Sequence, residues 1–415
     1  MSTTHINCDQ SGLSDAEALD AAAGRLQLEV IEEILDGGSP ARVYLTRACG
    51  GEQLVVKILI AREGVVDGHD LGSFRHKLRQ IEAIRATAPH LGARYLPIVH
   101  SLDGVDWAGY TTPYFPSRDL AAPLRDRGGE EVFFRQYTAV AEDLFVRGYG
   151  VAAVPAPPDY LERVVVGRFL RRLPVLERAL PEALGADEVV VNGRLCLAPR
   201  LLLPRLLDEA RRHLELMAPP RLMFCAHGDA NTRNILVAPT ADAVPDCRVI
   251  DPRGSSDYWD PVYDLAKTLF SLSVWDPALR LGFAIRTCGG PGRPAYEVGF
   301  RQPLYPGYRA AMRRFLPYLA SLPGLVELFG DDRGWQARLL LTHDQHVLAE
   351  APCRLSDRKP KWGCDGAPSS PEDLALGHYL LGTLLINELA EQLTGRGELD
   401  VGRHLSLVAG GDAAE

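Results

Sequence analysis

The chain reads Phe224-Cys-Ala-His227-Gly228-Asp229-Ala-Asn-Thr-Arg-Asn234-Ile-Leu-Val237, then Arg248-Val-Ile-Asp251-Pro-Arg-Gly254, then Asp260-Pro-Val-Tyr-Asp264-Leu265. A polar loop with Asp229 and Asn234 five residues apart is followed by two short apolar segments, Ile235–Val237 and Arg248–Ile250, the second ending in a carboxylate. Turn-forming Pro239, Asp242, Pro245 and Asp246 lie between them, which predicts a hairpin. Such a hairpin brings Asp229, Asn234 and Asp251 to the mouth of one small sheet. Asn234 and Asp251 offer the hard oxygen ligands that suit Mg²⁺ or Mn²⁺, which leave most coordination places to phosphates and water. Asp229 is then the candidate base for a hydroxyl nucleophile, a division of labour suited to phosphoryl transfer.

His-Gly-Asp-x-x-x-x-Asn, Ile-Asp, and Asp-Pro-x-Tyr-Asp-Leu-Ala, in this order and spacing, resemble the aminoglycoside phosphotransferase and choline kinase family. The resemblance implies an α+β, two-lobed protein-kinase-like fold, with a small β-rich N-terminal lobe and a larger, mostly helical C-terminal lobe. It also implies ATP or GTP as phosphoryl donor. We expect an arm over 1–25, a nucleotide-binding lobe over 26–115 and a catalytic lobe over 116–415.

Working outward, Arg42–Leu45 and Gln53–Ile60 read as strands separated by the Cys49-Gly50-Gly51 turn. The Gly37-Gly38-Ser39 turn is either a plain hairpin loop or a backbone cradle for phosphates; its place ahead of Lys57 favours Gly38 and Ser39 as cofactor contacts. Lys57, mid-strand, sits either on a wet sheet face or in a cleft. The resemblance implies that it touches the α- and β-phosphates and needs a carboxylate to hold it. Residues 73–86 have helical spacing with Glu82 as their only acid, so Glu82 is the expected partner. Residues 61–72 read as a flexible insertion, five strands should make up the small sheet, and Pro113–Pro116 reads as a hinge beside the purine.

Beyond Glu130 the pattern is helical, interrupted by a type I′ hairpin signal at Asn192-Gly193. Residues 157–215 are expected to form a substrate-facing insertion, and the arginines at 163, 168, 171, 172 and 178 read either as the mark of an anionic partner or, by preference, as a solvated helix face. Segments 307–321, 335–351 and 372–394 are helical by period, and the tail after Val408 reads as disordered. His343, His346, Cys353 and Cys364 do not meet the paired spacing of a structural zinc site, and Gly289–Gly292 reads as a plain loop.

Three residues have supporting expectations. Asp264 should hydrogen-bond the loop that carries Asp229, and His227 should order that loop's backbone. Arg253 either meets the transferred phosphate or acceptor, or pairs with Asp257 or Asp260. Pro252 stiffens the segment after Asp251, where resembling enzymes often carry Phe.

The formal charge of −9 argues against a general nucleic-acid binder and is compatible with a cationic substrate. Eight scattered cysteines, no signal-like N-terminus and no long apolar run lead us to expect a cytoplasmic enzyme without a membrane partner. The leading expectation is a kinase for a hydroxyl on a small polar molecule: an aminoglycoside, a sugar or another antibiotic or natural product. A kinase of a short peptide or protein Ser/Thr, or a non-catalytic nucleotide-binding module, are the alternatives.

Overall fold

The computed structural model describes residues 3–8, 11–34, 40–62, 68–212, 218–224, 227–239, 245–255, 257–289, 293–357, 360–396 and 399–408. Gly38, Ser39, residues 63–67 of the 61–72 segment, Gly290–Gly292 and the tail after Val408 lie outside these residues.

Alternation in β4 (Gln53–Ile60) organises the first lobe. Val56 and Ile58 point to one face and are buried, while Val55, Lys57 and Leu59 line a cleft on the other. Around β4 runs a six-stranded sheet in the order β1-β5-β6-β4-β3-β2, with β2 Leu28–Glu33, β3 Arg42–Ala48, β5 His100–Gly104 and β6 Trp107–Pro113. The sixth strand is β1, Thr4–Cys8, which pairs parallel to β5 from Thr4↔His100 to Cys8↔Gly104. Within the expected arm over 1–25, Thr4–Cys8 is thus a strand of the first lobe's sheet. Helix α1 (Asp15–Leu26) starts at a capping box in which Ser14 and Glu17 satisfy each other's backbone N–H. Its Ala18 and Ala22 pack with Cys8, Val56, Ile58, Leu102 and Trp107 into a small core of their own. Helix α2 (Leu71–Thr87) covers the opposite face through Phe74, Ile81 and Ile84.

The chain leaves β6 at Pro113 and crosses through Tyr114–Ser117 to β7, Arg118–Asp119, which belongs to the second lobe. Helices α3 (Gly129–Val140), α4 (Gly167–Ala179), α5 (Pro199–Arg212), α6 (Val262–Phe270), α7 (Pro306–Ser321), α8 (Trp335–Ser356) and α9 (Pro371–Glu391) build most of it. The predicted hairpin forms as β8 (Glu188–Val191) and β9 (Arg194–Leu197), with Asn192 and Gly193 both at positive φ as a type I′ turn requires. It does not stand alone. Strands β12 (Phe283–Thr287) and β13 (Ala295–Phe300) extend it into a four-stranded sheet, β13 running parallel to β8. That second strand pair, roughly ninety residues later, was not part of the sequence expectation.

The catalytic stretch forms a separate small sheet. Ile235–Val237 (β10) pairs antiparallel with Cys247–Val249 (β11), Ile235 opposite Val249, and β7 pairs along the other edge of β10. Buried Ile235, Val237 and Val249 join the main core, so the polar ends of both strands sit at the cleft between the lobes. Among the described residues, no helix is long and apolar enough to cross a membrane.

Candidate active site

Asp229 leaves the loop ahead of β10 on a backbone held at several points. Asp264, fully buried on α6, accepts from the Gly228 N–H at 2.8 Å, the Ala230 N–H at 3.2 Å and the Tyr149 hydroxyl at 2.5 Å. His227 accepts the Asp229 N–H at Nδ1 (3.1 Å) and donates from Nε2 to the Ile250 carbonyl (3.0 Å), which selects the tautomer protonated on Nε2. It thereby ties the catalytic loop to the end of β11. Asn231 closes the loop by accepting from the N–H groups of Arg233 and Asn234, both at 3.1 Å. So held, the Asp229 side chain keeps 29% exposure, enough to meet a molecule in the cleft.

Asn234 donates its amide to the Asp229 carbonyl (2.9 Å) and carboxylate (3.2 Å), which leaves its Oδ1 available to a cation. Asp251 follows β11 in a left-handed conformation (φ 57°), unusual for a residue with a side chain and characteristic of functional sites. Lys57 Nζ meets Asp251 Oδ2 at 2.7 Å, and Lys77 Nζ meets Oδ1 at 2.5 Å. Burial would raise the Asp251 pKa, but these two ammonium groups outweigh it and hold the group well below the ordinary carboxylate range. Asp229 is lowered as well; burial opposes this, and Lys267, 3.1 Å away, is the main stabilising charge. The Asn234 and Asp251 oxygens suit a hard divalent cation.

The expected Lys57–Glu82 pair is absent. Glu82 is exposed on the outer face of α2, beside Arg85. The α2 residue that faces the cleft is Lys77, in line with Phe74, Ile81 and Ile84 at helical spacing. A lysine within that apolar stripe was the signal that a search for acids alone passed over. Gln80, buried at 1% exposure on the same side, was missed too. It donates to the His227 carbonyl (3.2 Å) and accepts from the N–H groups of Gly254 (2.7 Å) and Ser255 (3.0 Å). Gly254, at φ 83°, lets this loop approach α2: a Cβ there would stand 2.3 Å from the Ser73 carbonyl. One face of α2 thus clamps the Asp229 loop and the segment after Asp251 together.

Arg253 lies with its guanidinium 5.3 Å over the Trp259 ring and lines the cleft. Asp260, one of its expected partners, is taken by Arg338 at 2.7 Å, while Asp257 accepts from the Ser255 hydroxyl. Two of the residues whose spacing fell short of a zinc site have other partners: His346 contacts Arg168 and the Tyr263 carbonyl, and Cys353 contacts Arg172. The cleft has a volume of about 580 Å³. Val43, Val55, Thr112 and Phe115 line it from the first lobe and the crossing, and α4, α6 and α8 from the second.

A family model for the phosphotransferase enzyme family matches residues 30–298, well over half of the 415-residue chain. Among solved structures, aminoglycoside-3'-phosphotransferase of type VIII is 22% identical, with 89% of this chain and 98% of that chain covered and a TM-score of 0.44. A choline/ethanolamine kinase family protein from Mesorhizobium loti is 14% identical, with 95% and 99% covered and a TM-score of 0.46. An amicoumacin kinase in complex with AMP-PNP is 11% identical, with 94% and 97% covered and a TM-score of 0.45. No match is found among curated proteins. On the family match, which spans the Lys57 strand, the Asp229 loop and Asp251, the chain belongs to the phosphotransferase enzyme family and is a two-lobed phosphotransferase.

Proposed function

We propose that this enzyme transfers the terminal phosphoryl group of ATP or GTP to a hydroxyl of a small polar molecule. The observation that carries the reading is one cleft in which a partly exposed Asp229, braced by Asp264 and Asn234, faces Asp251 and Lys57. Asp229 orients the acceptor hydroxyl and takes its proton as the new O–P bond forms and the bond to the leaving nucleoside diphosphate breaks. Lys57 and Lys77 supply positive charge where the donor's phosphates lie. Asn234 Oδ1 and the Asp251 carboxylate would hold Mg²⁺ or Mn²⁺, which when bound neutralises phosphate oxygens and aligns them. A small acceptor is favoured because α4 and α8 close the second-lobe wall of the cleft.

The test is steady-state kinetics with nucleotide titration. Asp229→Ala should lower kcat by on the order of 10²–10⁴ with nucleotide affinity nearly unchanged, and Asp229→Asn should behave similarly. Asp251→Asn should abolish metal-dependent turnover. Unchanged turnover in the Asp229 variants would remove this mechanism; an Asp229→Ala enzyme that lost nucleotide binding and rate in equal measure would make Asp229 a metal or folding residue.

A further inference from the structure

The chain as a whole is acidic, with 54 Asp and Glu against 45 Lys and Arg. Its cleft has the opposite balance: eleven Lys or Arg against five Asp or Glu among the described residues that line it. Part of this serves a triphosphate, since Lys57 and Lys77 sit on Asp251. The excess continues onto the second-lobe wall. Helix α4 supplies Arg168 and Arg172, α6 supplies Lys267, α8 supplies Arg354, and the loop after Asp251 supplies Arg253. All but Arg253 are buried. Acids meet two of these cations: Glu350 accepts from Arg354 at 2.7 Å and from the Trp275 indole at 2.9 Å, Asp357 lies 3.3 Å from Arg354, and Asp229 lies 3.1 Å from Lys267.

These cations are held in place. Arg168 reaches the Tyr263 hydroxyl at 2.8 Å, and Arg172 reaches the Ala349 carbonyl at 2.8 Å and Cys353 Sγ at 3.0 Å. The guanidinium tips of Arg172 and Arg253 converge, each 4.0 Å from the place a Cβ on Gly68 would take. Half-buried His69 is lowered to about 3, by burial first and then by Arg172 with Glu350 opposing, and buried His378 to about 4, by burial first, with Glu350 opposing and Arg354 and Lys267 adding to it. Such a wall disfavours a further positive charge and matches the planar, two-oxygen edge of a carboxylate or phosphate.

We propose that the acceptor is an anion, a hydroxylated small molecule bearing a carboxylate or phosphate, and that Arg172 and Arg253 receive that group while Asp229 takes the hydroxyl. This rests on the phosphotransferase reading and disfavours the cationic substrate with which the net charge is compatible. Of the insertion's arginines, Arg168 and Arg172 then belong to the recognition wall, while Arg163, Arg171 and Arg178 are exposed, as a solvated face requires.

The test uses the full-length enzyme saturated with Mg²⁺ and a non-hydrolysable ATP analogue, which occupies the donor's phosphate positions. Calorimetric titration compares glycerol 3-phosphate with glycerol, glucose 6-phosphate and glucuronate with glucose, and kanamycin as a polycation; ADP release with ATP follows the same set. We expect the anionic member of at least one pair to bind or react about tenfold better or more, as one charge-assisted hydrogen bond provides. Arg253→Gln should erase that preference through KM with kcat retained, Arg253→Lys should keep part of it, and Arg172→Gln should repeat the loss. Equal binding within every pair, tighter binding of kanamycin, no measurable binding by any anion, or an unaltered preference in both Gln variants overturns the proposal. Phosphate probes that bind while glucuronate does not identify a phosphate acceptor; the reverse identifies a carboxylate. The phosphotransferase reading fails separately, by absent Mg–nucleotide binding in the same titrations, whatever the anions do.

Discussion

Replacing Lys77 by methionine keeps the aliphatic stem against α2 and removes the ammonium that meets Asp251 Oδ1 at 2.5 Å. The lysine and aspartate side chains are 11% and 13% exposed, so water replaces the lost hydrogen bond poorly. A charge-assisted bond in such a place contributes about 1.5–3 kcal/mol, or a factor of about 10–100 in an equilibrium or rate. Lys57 still holds Oδ2, so Asp251 stays ionised and the fold survives. What is lost is the orientation of the carboxylate and one positive charge facing the donor's phosphates. Lys77→Met should therefore lower kcat/KM for the nucleotide about 10–100-fold at saturating Mg²⁺. Because Lys77 also competes with a cation for Asp251, the Mg²⁺ concentration giving half-maximal rate should fall in the same variant. Glu82→Gln, on the exposed face, should stay within about twofold of the parent enzyme. The assay is coupled ADP release with nucleotide and Mg²⁺ varied independently. Full nucleotide kcat/KM in Lys77→Met, or a large loss in Glu82→Gln, would refute the assignment of α2's working residue.

Two further outcomes follow from the charges. Asp229 and Asp251 are both held below the ordinary carboxylate value of about 3.9, so they are ionised above it and protonate only as pH falls through their lowered values. Nucleotide kcat/KM should then show no acid limb from either group between about pH 5 and 7, and their contribution to stability should be lost only below that window; an acid limb near pH 6 that disappears in Asp229→Asn would contradict this. Arg338, 1% exposed, pairs with Asp260 at 2.7 Å and Asp332 at 2.5 Å, so Arg338→Met strands two buried carboxylates. A loss of about 3–5 kcal/mol is expected by chemical denaturation, with reduced activity because Asp260 starts the segment leading to Asp264; a change under about 1 kcal/mol would show that the cluster is not holding that loop.

Much of the site was legible because its parts are close in sequence. Asp229 and Asn234 are placed by one loop, and the hairpin that brings Asp251 beside them needs only turn residues and two apolar triplets. Alternation in β4 made a cleft-facing Lys57 one of two open choices, and the Asn192-Gly193 turn announced β8 and β9. Helical period also contained more than was taken from it, since Phe74, Lys77, Ile81 and Ile84 share one stripe while Glu82 lies off it. There a rule of opposite charge, lysine seeks acid, was allowed to outrank the geometry of the helix. The remainder required the folded chain. The β1–β5 pairing joins residues about ninety-six positions apart, β8 meets β13 across about a hundred, and Asp260 finds Arg338 across 78. No local period encodes such partners, because periodicity names the buried face of an element and not what covers it. The cleft's cationic wall belongs to the same class: Arg168, Arg172, Arg253, Lys267 and Arg354 come from four separate elements of an acidic chain, and only tertiary packing turns them toward one space.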